Sequence, residues 1–565
     1  MNDSVCSPQN CEELTRRMKN VISKVYLPLV SFLVLSPFYA AAQGSGGFSW
    51  GSYGLVAAAV IAVVGAVVVV SENLLKVEAK RSGVDMNTAK DSSSFNLKRI
   101  LRGSLPNYLS GKSLVELNKG YDIPLVGKAE APNNIETVHT RRYAIQPPNF
   151  RGIRPIPKLE IEEGANVKAG DPIFYDKSNP DIKYVSPVSG EFIELQRGEK
   201  RAITNLVFLA DEETSYRNIP NFDLDTGSRE DLKKHLMATG GWPLFNKRPF
   251  DVIADPAEDP KNIFISTFDT APLALDMNKA VEGREQDFQK GLDVLNRLTD
   301  GEVFLGLDGR HAEPPASAFI EAEGVHKVFF KGPHPAGNVG VQIHHIAPIS
   351  TKDVVWTLDV QNVITLGALF SQQRYMADRL IAICGAQVKT PTIIKTKIGA
   401  SINEIISGRL QEGDNRIING DVFSGERKSG EHMFLNANSN QITIIPEGDY
   451  YEPFGWLIPN KLRPTVSRTY PNFLIPGLKF DGDTNTHGEK RAFVVTGQYE
   501  KLLPMDIYVQ HLMKSIMIND FERMEGLGIA ELSEEDVALA EFACTSKMPL
   551  QKILREGLDY VQSQM

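Results

Sequence analysis

Three histidines, His334, His344 and His345, sit in the segment 327–345, KVFFKGPHPAGNVGVQIHH. Imidazole titrates near neutral pH, and in its neutral form it can donate a hydrogen bond to a carbonyl or accept one. Here it stands in an otherwise uncharged turn. Gly332, Gly337 and Gly340 let backbone approach a ligand or a neighbour closely, and Pro333 and Pro335 stiffen the loop. The flanks read as strands, 328–330 before the turn and 340–343 after it. On a strand, His344 and His345 would point to opposite faces, which makes them poor co-ligands for one metal. The plainer reading of His334 is a ring satisfied by local backbone. The candidate contacts with a ligand or a partner are therefore Gly332, His334, Pro335, Gly337 and His344, joined by Trp456 in a later aromatic stretch.

Other chemistry is sparse. Cys6, Cys11, Cys384 and Cys544 are the only cysteines, and no C-x-x-C occurs, which argues against an iron–sulfur cluster or a structural zinc. FLGLDG at 304–309 is a lone glycine pattern and weak ground for a nucleotide. The run ATGGWP at 238–243 is a second glycine candidate, but Trp242 would crowd a phosphate cradle. The net charge of −9 leaves no basic footprint, so nucleic acid is excluded as a partner class.

The elements that must position these residues follow from periodicity. The whole reads as an α+β multidomain chain. Residues 112–213 carry short strands with frequent turns, and 163–195 has the pattern of a biotinyl/lipoyl-like barrel-sandwich domain. Its hairpin tip reads as Ser178, Asn179 and Pro180, which puts Lys177 too early to be a cofactor-bearing lysine. Residues 214–375 alternate strand and helix: strands at 263–268, 303–307 and 328–330, a helix over 284–299 with Phe288, Leu292, Leu295 and Leu298 on one face, and a short helix at 314–322. That is a Rossmann-like, mostly parallel sheet, and the histidine turn falls at the C-terminal end of a strand, where such sheets bind ligands. Residues 376–435 read as a β-grasp-like (SLBB) module, with strands at 379–384, 390–396 and 417–422. Its helix spans 401–410, with Ser401 as N-cap and Glu404 completing a capping box. Residues 436–500 are irregular and aromatic-rich, fitted to dock on a partner or to pack on the core. Residues 501–565 form a helical C-terminal region, with a helix from Pro504 burying His511, a second capped by Ser533, and a stripe of Leu550, Ile553, Leu554 and Leu558.

Residues 25–71 contain no charge and hold two apolar runs, 25–42 and 53–70. The second is long enough for a transmembrane helix at 52–71. The first, within 1–42, is either a signal peptide ending at small residues or a first membrane helix. Arg16, Arg17, Lys19 and Lys24 precede the pair, and Lys76, Lys80 and Arg81 follow it. Positive flanks stay inside, so the body after the 72–111 linker is expected on the cytoplasmic side of a bacterial inner membrane.

Several ordered segments carry a resemblance: GPHPAG (332–337), YDKSNP (175–180), SPVSG (186–190), VWTLDVQNV (355–363), GQYEKLLPMDI (497–507) and LGIAELSEEDVALAEFAC (527–544). From about Lys112 to the C-terminus the chain resembles the A subunit of the bacterial sodium-translocating NADH:quinone oxidoreductase (Na+-NQR). The resemblance implies a peripheral subunit without a redox centre of its own, working beside membrane and flavin-bearing partner subunits. NADH, flavins, an iron–sulfur cluster and ubiquinone would belong to the complex, which couples quinone reduction to sodium export. The subunit would scaffold the assembly and contribute to the quinone site. A related family, the C subunit of the Rnf electron-transport complex, binds flavin and NADH through a glycine-rich loop. The matching place here is the altered run 238–243, which implies an ancestral nucleotide-binding body that has lost both ligands. Two other readings compete: a periplasmic membrane-fusion or export adaptor, and an autonomous NADH:flavin enzyme.

Overall fold

The structure is a computed structural model that describes residues 106–565 except 133, 154–156, 456–461, 467–474 and 476. Both apolar N-terminal runs and Trp456 lie outside the described residues. Among the described residues no helix is long and apolar enough to cross a membrane.

The barrel-sandwich part pairs a four-stranded sheet (Arg142–Ile145, Ile203–Ala210, Gly190–Arg197, Asn166–Val167) with a three-stranded one (Pro157–Leu159, Pro172–Asp176, Asn179–Val185). Alternating residues meet between them. Phe174 stacks on Tyr184 at 4.5 Å, and Phe192 meets Phe208 at 5.4 Å. Asn179 and Pro180, expected in the hairpin tip, instead open the return strand. That strand is the edge of its sheet, where proline costs no ladder bond. The tip is Lys177 and Ser178, closed by Ser178 N–H donating to Asp176 Oδ1 at 3.2 Å. Lys177 is therefore at the tip and exposed, and the offset that argued against a carrier lysine is absent.

The Rossmann-like sheet has seven strands in the order Leu114–Glu116, His326–Lys331, Val303–Asp308, Asn262–Ser266, Val355–Asp359, Asn246–Arg248, Val252–Ile253. The first five run parallel, Asn246–Arg248 is antiparallel to them, and Val252–Ile253 pairs antiparallel with it in turn. Leu114–Glu116, which the sequence assigned to the barrel-sandwich domain, joins this sheet beside His326–Lys331. Helix Glu285–Leu298 buries Phe288, Leu292, Leu295 and Leu298 as its period requires. It packs closely on Val360–Ser371: a Cβ on Gly367 would lie 1.8 Å from the Asp287 carbonyl oxygen.

The expected strand at 340–343 is a helix, Val339–Ile346. Its Val and Ile content suits a strand, but His326–Lys331 and Val355–Asp359 run parallel in one sheet. Parallel strands of one sheet that follow each other in the chain need a crossover, and the crossover is helical. His344 and His345 thus occupy its last turn rather than opposite faces of a ribbon.

A six-stranded mixed sheet follows, in the order Glu426–Lys428, Asn415–Asn419, Gln441–Pro446, Asp378–Cys384, Thr392–Lys397, Glu136–Thr137. Gln441–Pro446, a central strand, falls in the region expected to be irregular, and Glu136–Thr137 arrives from the N-terminal side. The expected 401–410 helix is only Ile402–Ile406. Ser401 caps it, but the Glu404 carboxylate accepts from Arg141 N–H at 2.6 Å instead of returning to the N-cap. Helices Val509–Met517, Phe521–Gly526, Glu534–Phe542 and Leu550–Gln564 form the C-terminal part. The first begins at Val509, not Pro504, and His511 is exposed. Leu550, Leu554 and Leu558 bury against Leu512 and Ile516, and Ser533 and Asp536 form a reciprocal capping box.

Candidate functional site

Two places in a nucleotide-binding-type body could hold a ligand: the 238–243 glycine run and the C-terminal ends of the parallel strands. The first is closed. Helix Arg229–Thr239 ends there with Gly240 in the left-handed region (φ 79°) as its cap. A helix C-terminus presents carbonyls and the negative end of the dipole, the wrong polarity for a phosphate. A Cβ on Gly240 would meet Val185 Cγ2 at 2.4 Å. Trp242 is fully buried, donates from Nε1 to Ala254 O at 2.8 Å, and meets Trp356 edge-on at 5.4 Å. The glycines serve packing.

The second place is a cleft of about 620 Å³. Its floor is the strand ends, with Ser266, Phe268, Asp269 and Gly337. One wall is the mixed sheet, with Asn419, Asp421, Phe423 and Asn436. The far side holds Arg248 and Glu535. Of the six residues the sequence offered, His334 and Gly337 line it; Gly332, Pro335 and His344 do not, and Trp456 is outside the described residues.

His334 is the pivot. Its backbone N–H donates to Asp122 Oδ1 at 2.8 Å, and its carbonyl accepts from Tyr121 N–H at 2.9 Å. Nδ1 lies 3.1 Å from Thr270 Oγ1, which also accepts from Gly337 N–H at 3.0 Å. Its ring stacks on Phe423 at 5.3 Å. The side chain is 3% exposed and, among the described residues, its Nε2 has no hydrogen-bond partner. The expectation of a locally satisfied ring holds for Nδ1 alone. Burial pushes the imidazole down to about 4 against the opposing pull of Asp421 and Asp122, so it is neutral at pH 7.

Asp269 lines the cleft and stays exposed to solvent there, although it is crowded by protein on its other sides. Burial and then the charge of Asp421 raise it to about 6, against N–H donors at Ala271 and Thr270. The open side lets water screen part of that rise. Asp421 accepts from Phe423 and Ser424 N–H at 2.6 and 3.0 Å. Two amides complete the wall, Asn419 buried and Asn436 half-buried. Asn419 Nδ2 donates to Phe434 O and Asn436 Nδ2 to Glu426 Oε2, which fixes both orientations and leaves each Oδ1 without a partner among the described residues.

Arg248 is the cation of the cleft. It is buried, with Asp251 Oδ1 at 3.4 Å, Glu535 Oε1 at 3.1 Å and Asp536 Oδ2 at 3.7 Å. Burial works against its charge, and these carboxylates more than offset it, holding the guanidinium charged. Glu535 is raised by burial and by Asp536 beside it, with Arg248 opposing. Asp269, Asp421, Asn419, Arg248 and Glu535 escaped the sequence reading. The signal available was position: Asp269 and Asp421 each follow a strand by two or three residues, and strand ends are where such sheets place ligand groups.

His344 and His345 serve a joint elsewhere. Asp506 N–H donates to His344 Nε2 at 3.2 Å, so its Nδ1–H donates to Glu531 at 2.7 Å. His345 Nε2 donates to Pro504 O at 2.6 Å. Among the described residues no group of three or more His, Cys, Asp or Glu side chains could hold a metal ion.

These features define a class: a multidomain α+β body on a nucleotide-binding-type frame, with its glycine corner filled and an open cleft at the strand ends. Residues 115–211 match the family described as the NqrA N-terminal barrel-sandwich hybrid domain, 227–375 the NqrA second alpha/beta domain, and 380–430 the NQRA C-terminal domain. The chain is 36% identical over 456 residues to the A subunit of the Na(+)-translocating NADH-quinone reductase of Alcanivorax borkumensis, and 35% identical over 457 residues to that of Yersinia pestis. Each alignment covers 80% of this chain and 100% of the relative. The chain belongs to the NqrA family, the A subunits of Na(+)-translocating NADH-quinone reductases. A solved NAD+-reducing [NiFe]-hydrogenase aligns with 41% of this chain and 52% of its own at 13% identity and a TM-score of 0.29, too slight a likeness to bear on function. The export-adaptor reading finds no support: the barrel-sandwich tip is a two-residue turn rather than a long α-hairpin.

Proposed function

We propose that this chain is a peripheral, non-catalytic subunit of a sodium-pumping NADH:quinone reductase, scaffolding membrane and flavin-bearing partners. The observation that carries the reading is full-length coverage of relatives bearing that name, with the three family domains in order. Electron carriers, flavins and an iron–sulfur cluster, belong to the partners in this reading. The uncharged N-terminal runs with basic flanks support a membrane tether with the body on the cytoplasmic side.

Within this role the GPHPAG segment is a positioning device. Gly332 admits Leu117, Gly337 admits the Thr270 backbone, and Pro335 is buried behind them.

Purification through a tag at Met565 from native membranes tests the reading. Co-purifying flavoprotein subunits with sodium-dependent NADH–quinone activity are expected, with this chain colourless once stripped of them. A chain that emerges alone and yellow would overturn it.

A further inference from the structure

The C-terminal helical part carries an apolar face that no described residue covers. Helix Val509–Met517 buries Leu512, Met513 and Ile516, while Tyr508, His511, Lys514 and Ile518 recur at helical spacing on its solvent side. Beside the helix runs the irregular segment 489–497. Thr496 and Gly497 N–H donate to Gln510 Oε1 at 2.7 and 2.8 Å, and Gln510 Nε2 donates to Val494 O at 3.2 Å. Lys514 Nζ stands 5.6 Å from the centroid of the Phe493 ring. Segment and helix therefore form one surface. On it Val494, Val495, Tyr508, Met517 and Ile518 are each between 49% and 65% exposed. A single exposed apolar residue is ordinary, but a cluster of them marks a binding surface. The N–H groups of Phe493, Val494 and Val495 have no hydrogen-bond partner among the described residues.

The charge of the face narrows what it fits. Lys490, Arg491 and Lys514 have no carboxylate within ion-pair distance among the described residues, in a chain whose net charge is −9. Carboxylates stand at the margins: Glu489 opens the segment, Asp506 precedes Tyr508, and Asp520 is committed to capping helix Phe521–Gly526. Glu500 turns inward to accept from Gln510 N–H at 3.3 Å. We infer that this face lies on an anionic phospholipid surface. Val494, Val495 and Ile518 enter the boundary between headgroups and acyl chains, and the Tyr508 ring sits at headgroup level. Arg491 and Lys514 pair with lipid phosphates while their stems lie along the apolar strip. A partner's β-strand would also satisfy the bare N–H groups, but it would not by itself call for three unpaired cations around them. The inference rests on the preceding reading for its setting, since a membrane tether brings the body next to such a surface.

The test is hydrogen exchange on the full-length chain reconstituted into vesicles of phosphatidylcholine, alone or mixed with phosphatidylglycerol. Flotation first shows whether the chain is held by each vesicle. The amides of 493–495 are expected to exchange about tenfold more slowly in the mixed vesicles than in phosphatidylcholine alone. The double variant Arg491→Glu with Lys514→Glu is expected to return them to the rate in phosphatidylcholine. Thermal melts verify that it folds; if it does not, Ile518→Ser, which removes an exposed apolar contact, decides in its place. Lys234→Glu, an exposed cation on helix Arg229–Thr239, is expected to behave as the parent does. A chain that floats but exchanges equally fast in both vesicles leaves the tether standing and overturns this inference. A chain that floats with neither removes both together. Slow exchange that needs co-purified partner subunits, whatever the lipid, would give the face to a protein strand. That result, or an equal loss of protection in Lys234→Glu, would overturn the inference as well.

Discussion

The glycine corner at 238–243 and the cleft beneath His334 are both places where a nucleotide-binding-type frame could hold a ligand, and they differ in what their polar atoms do. At the corner every strong group is spent: Gly240 closes a helix, Trp242 fills the space and its indole N–H reaches Ala254. In the cleft, glycine again permits close approach, at Gly337, but Asn419, Asn436 and His334 hold polar atoms without partners among the described residues. Glycine spacing alone would rank the two equally. Unsatisfied buried polar atoms distinguish them, because packing explains a glycine but not an orphaned amide oxygen.

The sharpest way to break this contrast is Trp242→Ala. If the corner is pure packing, the variant loses about 4 kcal/mol of stability in denaturant titration. Arg248→Met comes next. It strands Glu535 and Asp536 without their cation, while Asp251 keeps Arg151 at 2.9 Å, and is expected to cost about 3 kcal/mol, read as a lower denaturant midpoint.

Acidification sharpens the comparison further. The His334 imidazole, held near 4 in the fold, is protonated more readily in the unfolded chain, whose ordinary value is about 6.5. The unfolded state therefore binds the extra proton, and this contribution, about 3 kcal/mol, is full above about 6.5 and lost as the pH falls to 4. Asp269 acts in the opposite sense: raised to about 6, it contributes stability at low pH that is lost as pH rises through that value. Thermal melts across this range should show a shallow acid slope in the parent and a steeper one in Asp269→Asn. A slope unchanged by that substitution would remove Asp269 from the cleft's electrostatics. The smallest effect is expected at Asn419→Ala. A buried amide normally resists truncation, but here an unsatisfied acceptor leaves with it, so the melt should shift by the equivalent of less than about 1 kcal/mol.

Periodic elements were legible in the sequence: the Glu285–Leu298 helix from its four-residue apolar face, the Ser533 cap from the acidic turn behind it, and the parallel strands from their apolar runs. The crossover helix Val339–Ile346 was not, because its β-branched residues carry strand propensity and only the parallel run of the strands before and after it in the chain calls for a helix. The short Ile402–Ile406 helix misled in the other direction, since Glu404 finds Arg141 in a remote segment, which no local pattern reveals. His334 was visible as a residue type at a strand end. Its partners were not, because residues 248, 269, 421 and 535 are joined only by tertiary folding, with no spacing to announce them.

The two N-terminal strands that wander into other sheets set an order on synthesis. Residues 142–210 hold nearly all the strands of the barrel-sandwich part, so that part can close on itself as it leaves the ribosome. Leu114–Glu116 cannot pair until His326–Lys331 has been made, and Glu136–Thr137 must wait for Thr392–Lys397. The earliest part of the body is thus the last to be tied down. A nascent chain arrested before residue 326 would leave Leu114–Glu116 without its partner strand, and a 227–375 fragment would bare the edge of His326–Lys331, with its run of Val328, Phe329 and Phe330, to aggregation.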